Sequence, residues 1–217
     1  MDTGTIHQRP REPRHARADG ERTRAAILHA AVSLATVEGL EGLSIGHLAA
    51  AIGMSKSGLY AHFGSKQELQ LATVEEAERI FDREVVQPAL AARPGRAQLA
   101  AACEAYFGYL ERRVFPGGCF FAVTALEMGT RPGPVRDRVA AIQSGFTALL
   151  RSFAATALEQ HELPAREDPD WLAFELHAIL LAADTKFVLL DDPAVLDLAR
   201  QVVHQRLDLG NDRTAGS

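Results

Sequence analysis

Between Ser55 and Lys66 the chain reads S-K-S-G-L-Y-A-H-F-G-S-K, a run of hydrogen-bonding side chains on a short segment. If the segment is helical, Leu59 and Phe63, four residues apart, turn inward and leave Lys56, Ser57, Gly58, Tyr60 and His62 on the other faces. Such a face offers ammonium, hydroxyl and imidazole groups to phosphate oxygens and to acceptors on base edges. Gly58 costs about 1 kcal/mol against Ala in mid-helix. Its presence implies that something approaches the backbone closely, such as a base edge or a sugar. Taken alone, a short polar-faced helix is ordinary surface, so its neighbours decide the reading.

Those neighbours favour groove reading. Ser44 is a good N-cap for a helix Ile45–Ile52, whose Ile45, Leu48, Ala49 and Ile52 make a buried face. His47 stands where a Glu would complete a capping box. Gly53 supplies a turn, and Met54 plugs the angle between the helices. Two helices joined by a short turn containing Gly form the unit that lays its second helix in a DNA major groove. Upstream, a bracing helix is expected from Glu21 or Arg22 to Glu38, ended by Gly39 as a left-handed cap.

Downstream, S-K-Q-E at Ser65–Glu68 is a capping box. It places Lys66 in a first helical turn, where the dipole already favours anions. A Lys there is poorly sited for helix stability, and a phosphate would compensate. The helix is expected to run to about Val86, with Pro88 stopping it, and to link the reading unit to the rest.

Other chemistries find little support. Cys103 and Cys119 are the only cysteines and neither has metal-ligand spacing, so no metal and no cofactor are expected. A Cys nucleophile with His161 or His177 would need a spaced constellation that is absent, as are a phosphate loop and paired carboxylates. An enzyme is therefore not expected, and both thiols read as buried small hydrophobes rather than redox switches.

The remaining segments are apolar stripes broken by turns, without β-branched runs, which argues all-α. Tyr106 and Phe107 lie on an amphipathic helix from Arg96 to Arg113. Phe120, Val123, Glu127 and Met128 lie on a short apolar helix from Cys119. A long helix over Val135–Leu158 carries Phe146. Most of these residues are core, but Cys103, Tyr106, Phe107, Phe120, Val123, Glu127, Phe146, Phe174 and His177 are candidates to line a ligand cavity, mostly apolar with few polar anchors. Glu127 is the anchor of interest, unless it is exposed or paired with Arg131 or Arg136. The last two helices, Asp170–Leu190 and Pro193–Leu207, are apolar on more than one side. Through Phe174, Ile179, Phe187, Val195, Leu198 and Val202 they could pair across a two-fold axis, or else close the monomer's core.

At 217 residues with 47% hydrophobic and 24% charged residues, the chain has the makings of one large or two small globular domains. Residues 1–66 carry eight Lys and Arg against six Asp and Glu, and the remainder 15 against 22. A mildly positive end on an acidic body suits a protein that presents one end to phosphates. No apolar run approaches a membrane span and no signal sequence is evident, so a cytoplasmic protein is expected. The organisation reads as a disordered basic arm (1–20), a helix-turn-helix domain (21–66), a ligand-binding and dimerisation domain (67–209) and a disordered tail (210–217). The arm is either a solvated tail or a segment that reaches phosphates or a minor groove.

The pattern I-x-x-L-A-x-x-x-G-M-S-K-S-G-L-Y-A-H-F-G-S-K-x-E-L resembles the signature of the TetR family of transcriptional regulators over about Ile27–Leu71. More weakly, Gly117–Asp137 resembles the body of one of its subgroups. The resemblance implies an all-α protein of about nine helices, with an N-terminal three-helix DNA-binding domain before a helical bundle for ligand binding and dimerisation. It implies a homodimer that reads a palindromic operator in double-stranded DNA. Phosphate contacts would come from Ser44, Tyr60, His62 and Lys66, and base-edge or close-approach positions from Ser55, Lys56, Ser57 and Gly58. The implied function is repression relieved by a small, largely apolar effector, with a ligand-independent regulator or an activator as alternatives.

Overall fold

The computed structural model describes residues 13–207, with side chains from residue 20 onward. Among the described residues there are helices and connecting turns but no strand. Three helices build the N-terminal unit: the long α1 (Pro13–Glu38) and the short α2 (Ile45–Ala51) and α3 (Lys56–His62). Helix α4 is composite, with Lys66–Phe81, a π-helical turn Asp82–Val86 and Gln87–Ala91 following one another without a break. The body continues with α5 (Arg96–Glu111), α6 (Phe120–Met128), α7 (Pro134–Glu159), α8 (Pro169–Leu190) and α9 (Ala194–Arg206). Counted this way the described chain holds nine helical rods, as the sequence implied.

Two expected boundaries move. The expected arm lies partly outside the described residues, and α1 begins at Pro13 rather than near Glu21. Pro at a first helical position is pre-set for the helix and loses no needed N–H, and the Ala and Arg residues that follow are good helix formers. Nor does Pro88 stop α4. A proline inside a helix loses one backbone bond and crowds the carbonyl four residues earlier. Here the ladder widens ahead of it, with the Gln87 amide bonding the Asp82 carbonyl five residues back. The helix absorbs the proline through that π turn and continues for roughly 40 Å at about 1.5 Å per residue.

The reading unit folds on local signals. Ser44 accepts from the His47 amide (3.2 Å) and Ser55 from the Gly58 amide (3.1 Å), capping α2 and α3. Gly39 (φ +84°) and Gly53 (φ +69°) occupy the left-handed region, where a side chain would be strained. His47, unable to complete a capping box, places Nε2 3.3 Å from a Glu38 carboxylate oxygen and so ties α2 to the end of α1. Ile27, Ala31, Leu48, Leu59, Phe63 and Leu69 close the small core beneath them. In the body, α4, α5, α7 and α8 pack around an aromatic centre, with α6 wedged between α1, α7 and α8, and α9 against α5 and α8.

Candidate nucleic-acid interface and effector cavity

Helix α3 presents the face that the sequence called for. Leu59 and Phe63 are buried, while Ser55, Lys56, Ser57 and Tyr60 are exposed. The Lys56 stem runs past Gly46 of α2, where an added Cβ would lie 3.8 Å from its Cε. The Arg24 guanidinium lies 4.7 Å from the centre of the Phe63 ring and braces the C-terminal end of α3 from α1. His62 is half-buried beside Phe63, with ring centres 6.3 Å apart. Ser44, Ser55, Lys56, Ser57, Gly58, Tyr60, His62 and Lys66 therefore fall on one end of the molecule, distributed over α2, α3 and the start of α4.

Three details differ from the sequence reading. A Cβ at Gly58 would meet the Ser55 hydroxyl at 3.0 Å, so the glycine already has a reason in the N-cap of its own helix. Lys66 has a partner within the protein: its Nζ lies 2.8 Å from Oε1 of Glu41. That hydrogen bond is the main cause holding the Glu41 carboxyl below the usual range. The capping box at Ser65 is displaced by one residue. The Glu68 amide donates to the Ser65 hydroxyl (3.1 Å), and the Glu68 carboxylate accepts from the Gly64 amide (3.0 Å) rather than from Ser65.

The nine candidate cavity residues separate into groups. Tyr106, Phe146 and His177 do meet, around a void of about 10 Å³ that Phe81 of α4 and Phe121 of α6 also line. That is room for about one water. Phe81 is the hub, edge-on to Tyr106, Tyr109, Phe121 and Phe146 with ring centres 5.1–6.2 Å apart. The Tyr106 hydroxyl is buried and makes no geometrically acceptable hydrogen bond among the described residues. His177 places Nδ1 2.9 Å from the Thr147 hydroxyl, and burial lowers its pKa, favouring the neutral ring. It also borders an open groove of about 550 Å³ between α7 and α8, and shares that position between void and groove with Gln143 and Leu181.

The other candidates lie elsewhere. Cys103, Phe107 and Phe120 do not line the void; they are spent in the core, Phe107 beneath the Arg200 guanidinium (5.4 Å) and Phe120 against Phe121 (5.3 Å). Burial pushes the Cys103 thiol up to about 12 and the Cys119 thiol up to about 11, which makes both poor nucleophiles at neutral pH. Phe174 is no cavity residue: it is 73% exposed on the outer side of α8. Val123 and Glu127 face a different groove, between α6 and α8. Glu127 is neither exposed nor paired with Arg131 or Arg136. Its carboxylate accepts from the backbone amides of Leu40 (2.7 Å) and Glu41 (2.8 Å).

The expected pairing face is also redrawn. Phe174, Leu198 and Val202 are exposed. Ile179 and Val195 are half-buried against the monomer's core. Phe187 is 5% exposed, under the Arg113 guanidinium, and belongs to the core. Helical periodicity adds residues the sequence reading did not select: Trp171 (75% exposed), Ala178, Ala182 and Leu189 continue the stripe along α8. Asp184 was likewise missed. This lone acid in an apolar stretch of α8 is buried, accepts from the Cys119 amide (3.2 and 3.3 Å), and is pushed up to about 7 by burial.

Comparison with known proteins agrees with this plan. The profile described as "Bacterial regulatory proteins, tetR family" matches residues 27–73, and "Tetracyclin repressor-like, C-terminal domain" matches 95–203. A search of curated protein sequences gives no match. Among solved structures, a TetR transcriptional regulator from Chloroflexus aurantiacus J-10-FL is 26% identical, with TM-score 0.80, over 88% of this chain and 96% of that one. A TetR-family regulator from Streptomyces coelicolor is 21% identical with TM-score 0.74, covering 88% of this chain and 95% of that one. The regulator AibR, solved with isovaleryl coenzyme A and operator DNA, is 24% identical with TM-score 0.65, over 84% and 97%. With its N-terminal reading unit and half of its length matched by these two profiles, the chain belongs to the tetR family of DNA-binding transcriptional regulators.

Proposed function

We propose that the chain acts as a cytoplasmic, homodimeric repressor that holds a palindromic operator through two copies of α3 and releases it when a small, largely apolar molecule enters the body. The carrying observation is that one helix serves both ends. Helix α4 contributes Lys66 to the reading unit and Phe81 to the wall of the aromatic void, with its π turn immediately beyond Phe81. π turns interrupt the regular ladder and often accompany functional sites. An effector that displaces Phe81 would change how α4 leaves the body. It acts only through a difference in affinity between the DNA-competent and incompetent arrangements. The apolar stripe of Trp171, Phe174, Leu189, Leu198 and Val202 supports dimerisation, because such a surface is costly to leave in water. AibR, with the same fold, was solved in complex with isovaleryl coenzyme A and operator DNA, which supports a fold able to bind both a small molecule and DNA.

A ligand-independent regulator of the same fold is the second reading, and the void of about 10 Å³ favours it, since an effector that acts on Phe81 from within that void must first open the aromatic cluster. A thermal-shift screen followed by DNA-binding titration separates the two. Effector control requires a compound that raises Tm and weakens operator binding together. Phe146→Trp, which fills the void, should abolish both effects while leaving DNA binding intact. A variant that responds to the compound as the parent does would remove the void from the scheme.

A further inference from the structure

The connector between α1 and α2 is held by the body as well as by its own backbone. After the Gly39 amide closes on the Ala35 carbonyl (3.0 Å), the next two amides, Leu40 and Glu41, donate to the two carboxylate oxygens of Glu127. Glu127 stands in the last turn of α6, far away in sequence. The site is electrostatically unfavourable for a carboxylate. It adjoins the C-terminal end of α1 and lies at the C-terminal end of α6, both of which carry partial negative charge. Two charge-assisted bonds from consecutive amides offset that cost. The left-handed Gly39 is part of the fit, since a Cβ there would come 2.8 Å from Oε1 of Glu127.

A second contact lies beside the first. The Gly117 amide donates to the Thr36 hydroxyl (3.2 Å), and a side chain at 117 would run into the Thr36 carbonyl. Glu41 itself pairs with Lys66 of α4 and lies 3.9 Å from Arg131, beyond α6. Gly117 and Glu127 also form one edge of the open groove of about 550 Å³ between α6 and α8. The end of α1 is therefore fastened to α6 and to the turn at Gly117 as well as to α4, whose Gln70 side chain donates to the Leu40 carbonyl (2.8 Å).

We propose that Glu127 is the positioning residue that fixes the angle of the DNA-reading unit on the body, so that both units of a dimer reach successive major grooves together. This rests on the DNA-binding dimer proposed above. Loosening the contact leaves the core of each reading unit and its α3 face untouched. Binding to an isolated half-site is unchanged, while binding to the full palindrome weakens about tenfold, within the range of about 5- to 150-fold usual for coupling between sites.

The test uses the full chain as Glu127→Gln, which keeps one acceptor oxygen, and Glu127→Ala, which keeps none. Fluorescence anisotropy compares a full operator obtained by selection with a DNA carrying one half-site, and hydrogen exchange reads the Leu40 and Glu41 amides without DNA. The expected result is unchanged half-site affinity, a graded loss on the full site that is larger for Ala, and faster exchange at both amides. The proposal is overturned by an unaltered full-site affinity, by equal losses on both DNAs, or by unchanged exchange. If the parent protein enriches no DNA sequence, the functional reading fails, and the exchange measurement alone decides whether Glu127 holds the connector.

Discussion

Tyr60 and Lys56 share one exposed helix face yet are expected to do different work. Tyr60→Phe removes a single hydroxyl suited to a backbone oxygen, and Lys66→Ala a charge at the start of α4. Both should weaken specific and random DNA alike, with Tyr60→Phe costing about 1 kcal/mol. Lys56→Ala should instead erode discrimination at one position of the operator by about 1–3 kcal/mol. Anisotropy titrations on matched and scrambled DNA distinguish the two patterns. In the body, Asp184 makes a pH prediction. Its pKa in the folded chain, about 7, lies above its ordinary value of 3.8, so folding favours the protonated form. The stability this confers is complete below about pH 4 and is lost as pH rises through about 7. Asp184→Asn should flatten that dependence and raise stability at pH 8 by an amount on the order of 2 kcal/mol, read from urea denaturation at several pH values.

At the scale of elements, legibility followed the range of the interactions. The caps at Ser44, Ser55 and Ser65 and the glycines at 39 and 53 act within a few residues, so the α1–α4 layout could be read from spacing. The reading failed where a distant group answered a local need. Glu127 looked like a ligand anchor because the amides it serves are contributed by another helix. Phe187 looked like an interface residue because Arg113, which covers it, is remote in sequence. Pro88 looked like a stop because nothing in its neighbours announces a π turn. Cap and interface make separate predictions. Ser65→Ala should destabilise the reading unit by about 1 kcal/mol by removing the N-cap acceptor. Trp171→Glu sets a charge in the apolar stripe of α8 and should give monomers in light scattering, with helical content retained because the side chain is already largely in water.

At the scale of the whole molecule, the arrangement is a small reading unit on an acidic body, joined through α4 and through the Glu127 contact. Its charge asymmetry should keep the body away from the duplex and leave α2, α3 and the start of α4 to meet the phosphates, so binding should weaken steeply with salt. Whether α3 reads DNA as part of a two-fold dimer is decided by selecting bound sequences from a random pool of duplex DNA. Two copies of α3 in successive major grooves should enrich an inverted repeat whose half-sites lie one helical turn apart, roughly 34–36 Å, or a multiple of it, with one position relaxed in Lys56→Ala. Failure to enrich any sequence, or enrichment of a motif that Lys56→Ala and Tyr60→Phe leave unaffected in both affinity and preference, would contradict this role of α3.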